Sequence, residues 1–264
     1  MPDDLSDVKY QTAIANRVLA ELGLATGALA SLGHASMRVP SQPDTFVVKG
    51  RGYEIDALAT MRPEDMVVCD LEGFKVDGPP GSTQCREVKM HSCVYKLRPD
   101  VQSVVHVHPR YVVTMSVLGA TIVPMCISGL RLVRHPLPVY PHTKVVQSDE
   151  EGTTVANLLG QQSAILLFGH GATTVGRSVE ESVMNMIWLE EQAQMNWFAY
   201  CAAGPNHPRI PDELADEHIN VPDLNTYPHL AMHFQKAANQ VKDPSVGGAW
   251  QMYRHYADLV SGDL

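Results

Sequence analysis

The sequence predicts an α/β fold: one domain over residues 1–204 and an extension over residues 205–264. Three observations carry this. Up to Ala203, stretches with helical spacing of apolar residues alternate with short β-branched runs. The clearest helix, Ser178 to about Ala203, is stopped by Gly204-Pro205. Beyond Pro205 the composition shifts to proline, histidine, aspartate and asparagine. A chain of 264 residues, 45% of them hydrophobic, can bury a substantial core.

In chain order, residues 7–31 carry Val8, Ile14, Val18, Leu19, Leu22 and Leu24 at helical spacing. SLGHASMRVP reads as a turn entering a strand. In DTFVVKGRGYEI, a strand over Thr45–Val48 is expected to break at Gly50 and Gly52. EDMVVCDLEG is a strand ending in a turn at Glu72–Gly73. GSTQCREVKMHSCVYKLRPD reads as a helix stopped by Pro99. Residues 101–108 form a strand and 110–118 a short helix. TIVPMCIS and HPLPVYP are strand-like but interrupted by prolines, so they are expected at edges or in loops. A helix over 148–160 and a short buried strand, SAILLFGHG, follow; TTVG comes next. Ser178 and Glu181 have the spacing of a capping box at the start of the long helix. Two further helices are expected, around 227–241 and 247–260.

The net charge of −9 argues against a nucleic-acid or anionic-membrane surface. The five cysteines are scattered, with no CxxC, and suit reduced thiols better than a disulfide framework. The acidic N-terminus does not resemble a signal peptide, and no apolar run approaches a membrane span of about 18 residues. A cytoplasmic protein is expected.

The functional signal is VVHVHPRYVV, residues 104–113. Strand side chains alternate, so His106 and His108 share one face, about 7 Å apart at their Cα atoms, close enough to converge on one ion. The alternative is a pair of core histidines bonded to carbonyls. Burying two imidazoles without a shared purpose pays desolvation twice. His170, flanked by glycines after a buried strand, offers a third imidazole, and three would make an open metal site. Glu87 and His91 are four apart in CREVKMH and are expected to stack on one helix face. A carboxylate there could bind the ion or shuttle a proton.

These pieces in this order (GHAS at 33–36, EVKMH at 87–91, HVHP at 106–109, GHG at 169–171, then SVEE and the long helix) resemble the class II aldolase/adducin family over about residues 10–205. The resemblance implies an α/β/α layered fold around a mainly antiparallel sheet. It implies a homotetramer with the active site at the subunit interface, and the extension is expected to pack on that oligomer. It also implies one divalent metal ion per subunit, held by His106, His108 and His170, with Glu87 as the acid/base carboxylate. The family spans sugar-phosphate aldolases, an epimerase, dehydratases, decarboxylases, an oxygenase branch and the non-catalytic adducin head. The adducin head lacks the metal histidines, so a scaffold role is disfavoured.

The sugar-phosphate enzymes hold phosphate with G-N-x-S and T-x-[ST]-G turns and a Ser-Ser pair before the glutamate. Here GHAS, VKGR and Cys85-Arg86 stand at those places. Small hydroxyl donors are replaced and cations added, and a guanidinium suits a carboxylate. The departures favour the branch that decarboxylates hydroxypyridine dicarboxylates and dihydroxyphthalates. The expected reaction is loss of carbon dioxide from a hydroxylated ring (di)carboxylate through a metal-stabilised enolate-like species. Aldol cleavage is the alternative. Arg86, Arg51, His34 and Ser36 are candidate substrate contacts, and His91 a candidate partner behind Glu87. Manganese or zinc is expected; iron or cobalt would also suit three histidines.

Overall fold

A computed structural model describes residues 4–220, 227–229 and 249–261. Its nine strands are β1 (His34–Val39), β2 (Gln42–Arg51), β3 (Met66–Asp70), β4 (Lys75–Asp77), β5 (Thr83–Gln84), β6 (Ser103–Val107), β7 (Val139–Tyr140), β8 (Ala164–Leu167) and β9 (Gly171–Gly176). They form one sheet in the order β4-β3-β2-β1-β6-β9-β8-β7, with β5 pairing β2. Every pairing is antiparallel except β7 with β8. The helices are α1 (Asp4–Glu21), α2 (Val88–Leu97), α3 (Arg110–Val117), α4 (Asp149–Leu159), α5 (Val179–Ala203), α6 (Asp212–Ile219) and α7 (Ala249–Ser261). The expected α/β/α layering around a mainly antiparallel sheet is what forms.

Strand alternation builds the layers. On one face Phe46, Val48, Val104, Ile165, Leu167 and Val175 pack against Val88, Val94, Val155 and Leu159 of α2 and α4. On the other, Ala35, Val105, Val107, Leu166 and Ala172 pack against Ile14, Val18, Val183 and Met186 of α1 and α5. His34 pairs with His106 in register, and His106 with Thr173, so both imidazoles lie on the α2 side near the β1-β6-β9 centre.

Several expectations change in the folded chain. The first helix stops at Glu21 rather than 31, because Gly23 adopts φ 68° and turns the backbone out of the helix. β2 runs through Gly50 instead of breaking there; a Cβ at Gly50 would collide with the Tyr53 hydroxyl, so the glycine permits close approach. The helix expected from residue 81 begins only at Val88, because Thr83 and Gln84 pair with Arg51 and Gly50. TTVG belongs to β9, a full central strand. TIVPMCIS forms no strand: the Val123 and Met125 N–H groups donate to the side chains of Asn196 and Gln192 on α5. At Ser178 the hydroxyl accepts from the Glu181 N–H, while Glu181 Oε2 accepts from the Arg177 N–H.

Of the helix expected around 227–241, residues 230–241 lie outside the described residues. The one expected around 247–260 is α7, whose Trp250 and Ala257 are buried in the cluster that includes Ile14 and Val18. Among the described residues no helix is long and apolar enough to cross a membrane.

Candidate metal centre

β6 carries His106 and ends at Val107, so His108 stands just past the strand with Pro109 fixing its exit. His170 occupies the turn between β8 and β9, next to Gly169 at φ 63°. Gly171 is required there: an added Cβ would overlap the Val107 carbonyl and sit 2.8 Å from His108 Cδ2. The three rings meet pairwise with centroids 4.9–5.0 Å apart. Glu87 does not lie inside the helix with His91, as its spacing suggested. It is the residue before the first turn of α2, at φ −97° and ψ 28°, and its Oε1 accepts from the Val146 N–H at 3.1 Å. That bond aims Oε2 at the histidines, 3.3 Å from His106 Nε2 and 3.8 Å from His170 Nε2.

Tautomers decide what this arrangement can hold. His106 Nδ1 lies 3.0 Å from the Ala172 carbonyl, which only accepts, so a neutral His106 carries its proton there and leaves Nε2 bare. His108 Nδ1 is held by Thr26 Oγ1 at 3.0 Å. His170 Nδ1, although buried, makes no hydrogen bond of normal geometry; the nearby Lys144 backbone only favours its protonated form. His106 Nε2 and His108 Nε2 lie 3.2 Å apart with the Glu87 carboxylate beside them, and when Thr26 Oγ1 accepts from His108 Nδ1 both nitrogens are bare. Two ligands at about 2.0–2.1 Å from a tetrahedral ion stand about 3.3 Å apart. The spacing fits a shared cation, and a cation resolves the crowding of acceptors. All four donor atoms lie within 4.8 Å of one another, and the half-buried His108 and His170 leave an approach from solvent.

Electrostatics agree with that donor set. Burial pulls the pKa of His108 down to about 3 and lowers that of His170, so these rings are neutral and ready to ligate at pH 7. Burial alone would raise the Glu87 carboxyl, but His106 and His34 beside it, when they present a proton to Oε2, hold it well below the usual carboxylate range. His34, also pulled down by burial, titrates at about 4.

These shifts have a consequence for stability. Unfolded, His34 takes up its proton near pH 6.5; folded, it stays neutral until about 4. The unfolded state therefore binds more protons in that window, and stability falls as pH drops through it. The difference of 6.5 − 4 = 2.5 units corresponds to about 3 kcal/mol from His34 alone. The melting temperature of ion-free protein should drop clearly between pH 7.5 and pH 5; an unchanged value would contradict a neutral buried cluster.

The structure brings Glu87, His106, His108 and His170 together, with His34 Nε2 3.8 Å from Glu87 Oε2. His91 stands behind His34, not against Glu87. Ser36 is fully buried, with its hydroxyl taken by His91 Nδ1 and Tyr95, so it does not offer the substrate contact suggested by the GHAS turn. Arg51 lies 3.7 Å from Asp56, and Arg86 is exposed without an ion pair among the described residues. Neither guanidinium contacts the cluster within one chain. Thr26 and the Val146 N–H have no signature in the sequence. Tyr95 does, at four residues from His91 on one helix face. Lys49 is buried with its ammonium on the Ser31 and Asp56 carbonyls, and burial pulls its pKa down to about 8. A cavity of about 1020 Å³, lined by Arg131, His135 and Trp188 among others, shares no residue with the cluster. Chemistry, not concavity, marks the site.

A mainly antiparallel sheet thus carries three convergent imidazoles, with a carboxylate supplied from the start of α2. The chain belongs to the class II aldolase and adducin N-terminal domain family, whose model matches residues 11–197. It is 32% identical over 221 residues to a 3,4-dihydroxyphthalate decarboxylase of Arthrobacter keyseri, covering 80% of this chain and 85% of that protein. It is 30% identical over 244 residues to the enzyme of the same name from Rhodococcus jostii (strain RHA1), covering 89% and 93%. Its fold matches L-fuculose 1-phosphate aldolase from Glaciozyma antarctica PI12 with a TM-score of 0.74 at 22% identity, over 97% of this chain and 90% of that one.

Proposed function

We propose that this protein is a divalent-metal-dependent decarboxylase of a dihydroxylated aromatic dicarboxylate, of the 3,4-dihydroxyphthalate type. The observation that carries the proposal is the convergence of His106, His108, His170 and Glu87 as acceptors at ligand spacing. The similarity to dihydroxyphthalate decarboxylases supports the choice of reaction. A divalent ion on the three histidines, manganese or zinc, would supply Lewis acidity toward the substrate's oxygens.

The chain's own groups handle the proton. Glu87, kept ionised, accepts the proton of the phenol next to the departing carboxylate. It returns that proton to the ring carbon as the carbon–carboxyl bond breaks. The bonding pair stays on the ring carbon and becomes the new C–H bond, carbon dioxide leaves, and the phenolate regains a proton from water. His34 faces the same carboxylate. Arg86 and Arg51 are the cations proposed to grip the remaining carboxylate; Arg51 would first leave Asp56. The five free cysteines agree with a cytoplasmic setting, and the family resemblance supports a homotetramer.

The alternative is aldol cleavage of a sugar phosphate. Against it, His34, Cys85 and Arg86 stand where phosphate-binding relatives carry amide and hydroxyl donors. The test incubates metal-loaded protein with 3,4-dihydroxyphthalate and, separately, with sugar phosphates. Release of carbon dioxide and a dihydroxybenzoate is expected. Release of an aldehyde from a sugar phosphate, with the dicarboxylate untouched, would reverse the assignment.

A further inference from the structure

Behind the metal cluster lies a second group of buried polar side chains. His34 Nδ1 is 2.7 Å from His91 Nε2, His91 Nδ1 is 2.7 Å from Ser36 Oγ, and Ser36 Oγ is 2.7 Å from the Tyr95 hydroxyl. With Cys85, the two histidines also have the composition of a metal site. Their 2.7 Å separation argues otherwise. Two nitrogens on one tetrahedral ion stand about 3.3 Å apart, whereas 2.7 Å is a hydrogen bond. The group is therefore a hydrogen-bonded line running from the helix–sheet interior to the Glu87 carboxylate.

We propose that Tyr95, Ser36 and His91 are positioning residues, a one-way hydrogen-bond chain that locks His34 as a neutral imidazole with its proton on Nε2, facing Glu87 and the substrate beside it. Each unit of the chain can point either way, so the ends decide. At one end stands Glu87 Oε2, an acceptor only, 3.8 Å from His34 Nε2. A bare Nε2 would set a lone pair against the carboxylate; a protonated one sets an N–H against it. At the other end the Arg38 guanidinium lies 4.7 Å over the Tyr95 ring. Arg38 is buried, and its N–H groups donate to the carbonyls of Val101, Pro43 and Tyr95, with no carboxylate partner among the described residues. A cation behind Tyr95 and an anion beyond His34 bias every dipole the same way in a medium of low dielectric.

The two charges favour one set of donors over the reverse, in which Ser36 Oγ would donate to the Val104 carbonyl at 3.4 Å. In the favoured set Tyr95 O–H donates to Ser36 Oγ, Ser36 O–H to His91 Nδ1, His91 Nε2–H to His34 Nδ1, and His34 Nε2–H points to Glu87. The 2.7 Å bond between the rings needs one bare ring nitrogen, and both imidazoles are buried where a charged ring would be costly. His34 thus presents a fixed donor that needs no reorganisation when charge shifts between Glu87 and substrate. That use rests on Glu87 being the proton carrier; the tautomer itself does not.

The test reads the tautomer directly. In protein labelled with 15N-histidine and loaded with zinc, a diamagnetic ion, nitrogen NMR should show His34 and His91 each protonated at Nε2 and bare at Nδ1. A coupling across the N–H···N bond should join His91 Nε2 to His34 Nδ1. Assignment comes from the spectra of His34→Asn and His91→Asn. A His34 ring protonated at Nδ1 in the wild type, or no coupling between the two rings, would overturn the proposal whether or not the protein decarboxylates anything. A second arm reads the role through 3,4-dihydroxyphthalate turnover. His34→Gln places an amide N–H where Nε2 stands and should keep kcat within about tenfold. His34→Asn places it where Nδ1 stands and should lose about 10²-fold in kcat with little change in KM. Equal losses in the two variants would overturn the role assigned to the Nε2 donor.

Discussion

His106→Ala is expected to lose bound metal and activity together. His106 is fully buried, and its Nε2 is the hub of the cluster, 3.2 Å from His108 Nε2 and 3.3 Å from Glu87 Oε2. Its Nδ1 is pinned by the Ala172 carbonyl, so the ring cannot turn away. Without it two histidines remain, an incomplete set for an open site. Loss of a partner merely hydrogen-bonded to a ligand costs roughly 10–100-fold in affinity. Loss of a ligand itself should exceed that. Metal content and turnover of the purified variant, with circular dichroism to establish folding, measure the effect. A folded variant with wild-type occupancy would show that these histidines are a hydrogen-bonded core cluster instead.

Glu87→Gln is expected to keep the ion and lose turnover. The amide oxygen can still accept from the Val146 N–H, so the side chain stays in place, and the three histidines are untouched. What is lost is a group that exchanges protons. General acid–base groups contribute about 10²–10⁴-fold, and kcat should fall by that factor while metal content holds. A variant within a few-fold of wild type would remove Glu87 from the proton path.

How much of this was legible in the sequence differs between the parts. The HxH strand could be read because strand alternation is local: two imidazoles two apart must share a face. The Ser178–Glu181 helix start was legible because its signal is equally local. The position of Glu87 was not. Its distance of four residues from His91 implied one helix face, but β5 pairs with β2 and delays the helix to Val88, a long-range pairing that no local pattern encodes. TTVG hid strand β9 because the run is short, half polar and bounded by glycines, and the close passage of His108 over Gly171 is what requires glycine there. Ser36 read as a substrate contact because it lies in a turn motif. Its partners His91 and Tyr95 come from α2, and only the packed fold reveals that they consume its hydroxyl. The backbone donors and acceptors of the site, Val146 N–H and the Ala172 carbonyl, carry no residue-type signal at all.

The measurement closest to the central claim is the divalent metal content of the purified wild-type protein, read by elemental analysis alongside a titration of ion-free protein with manganese and with zinc. The account predicts one ion per subunit, a rise in melting temperature on binding, and uptake abolished in His106→Ala. No stoichiometric ion in the purified protein, and no binding of either metal by ion-free protein, would contradict it.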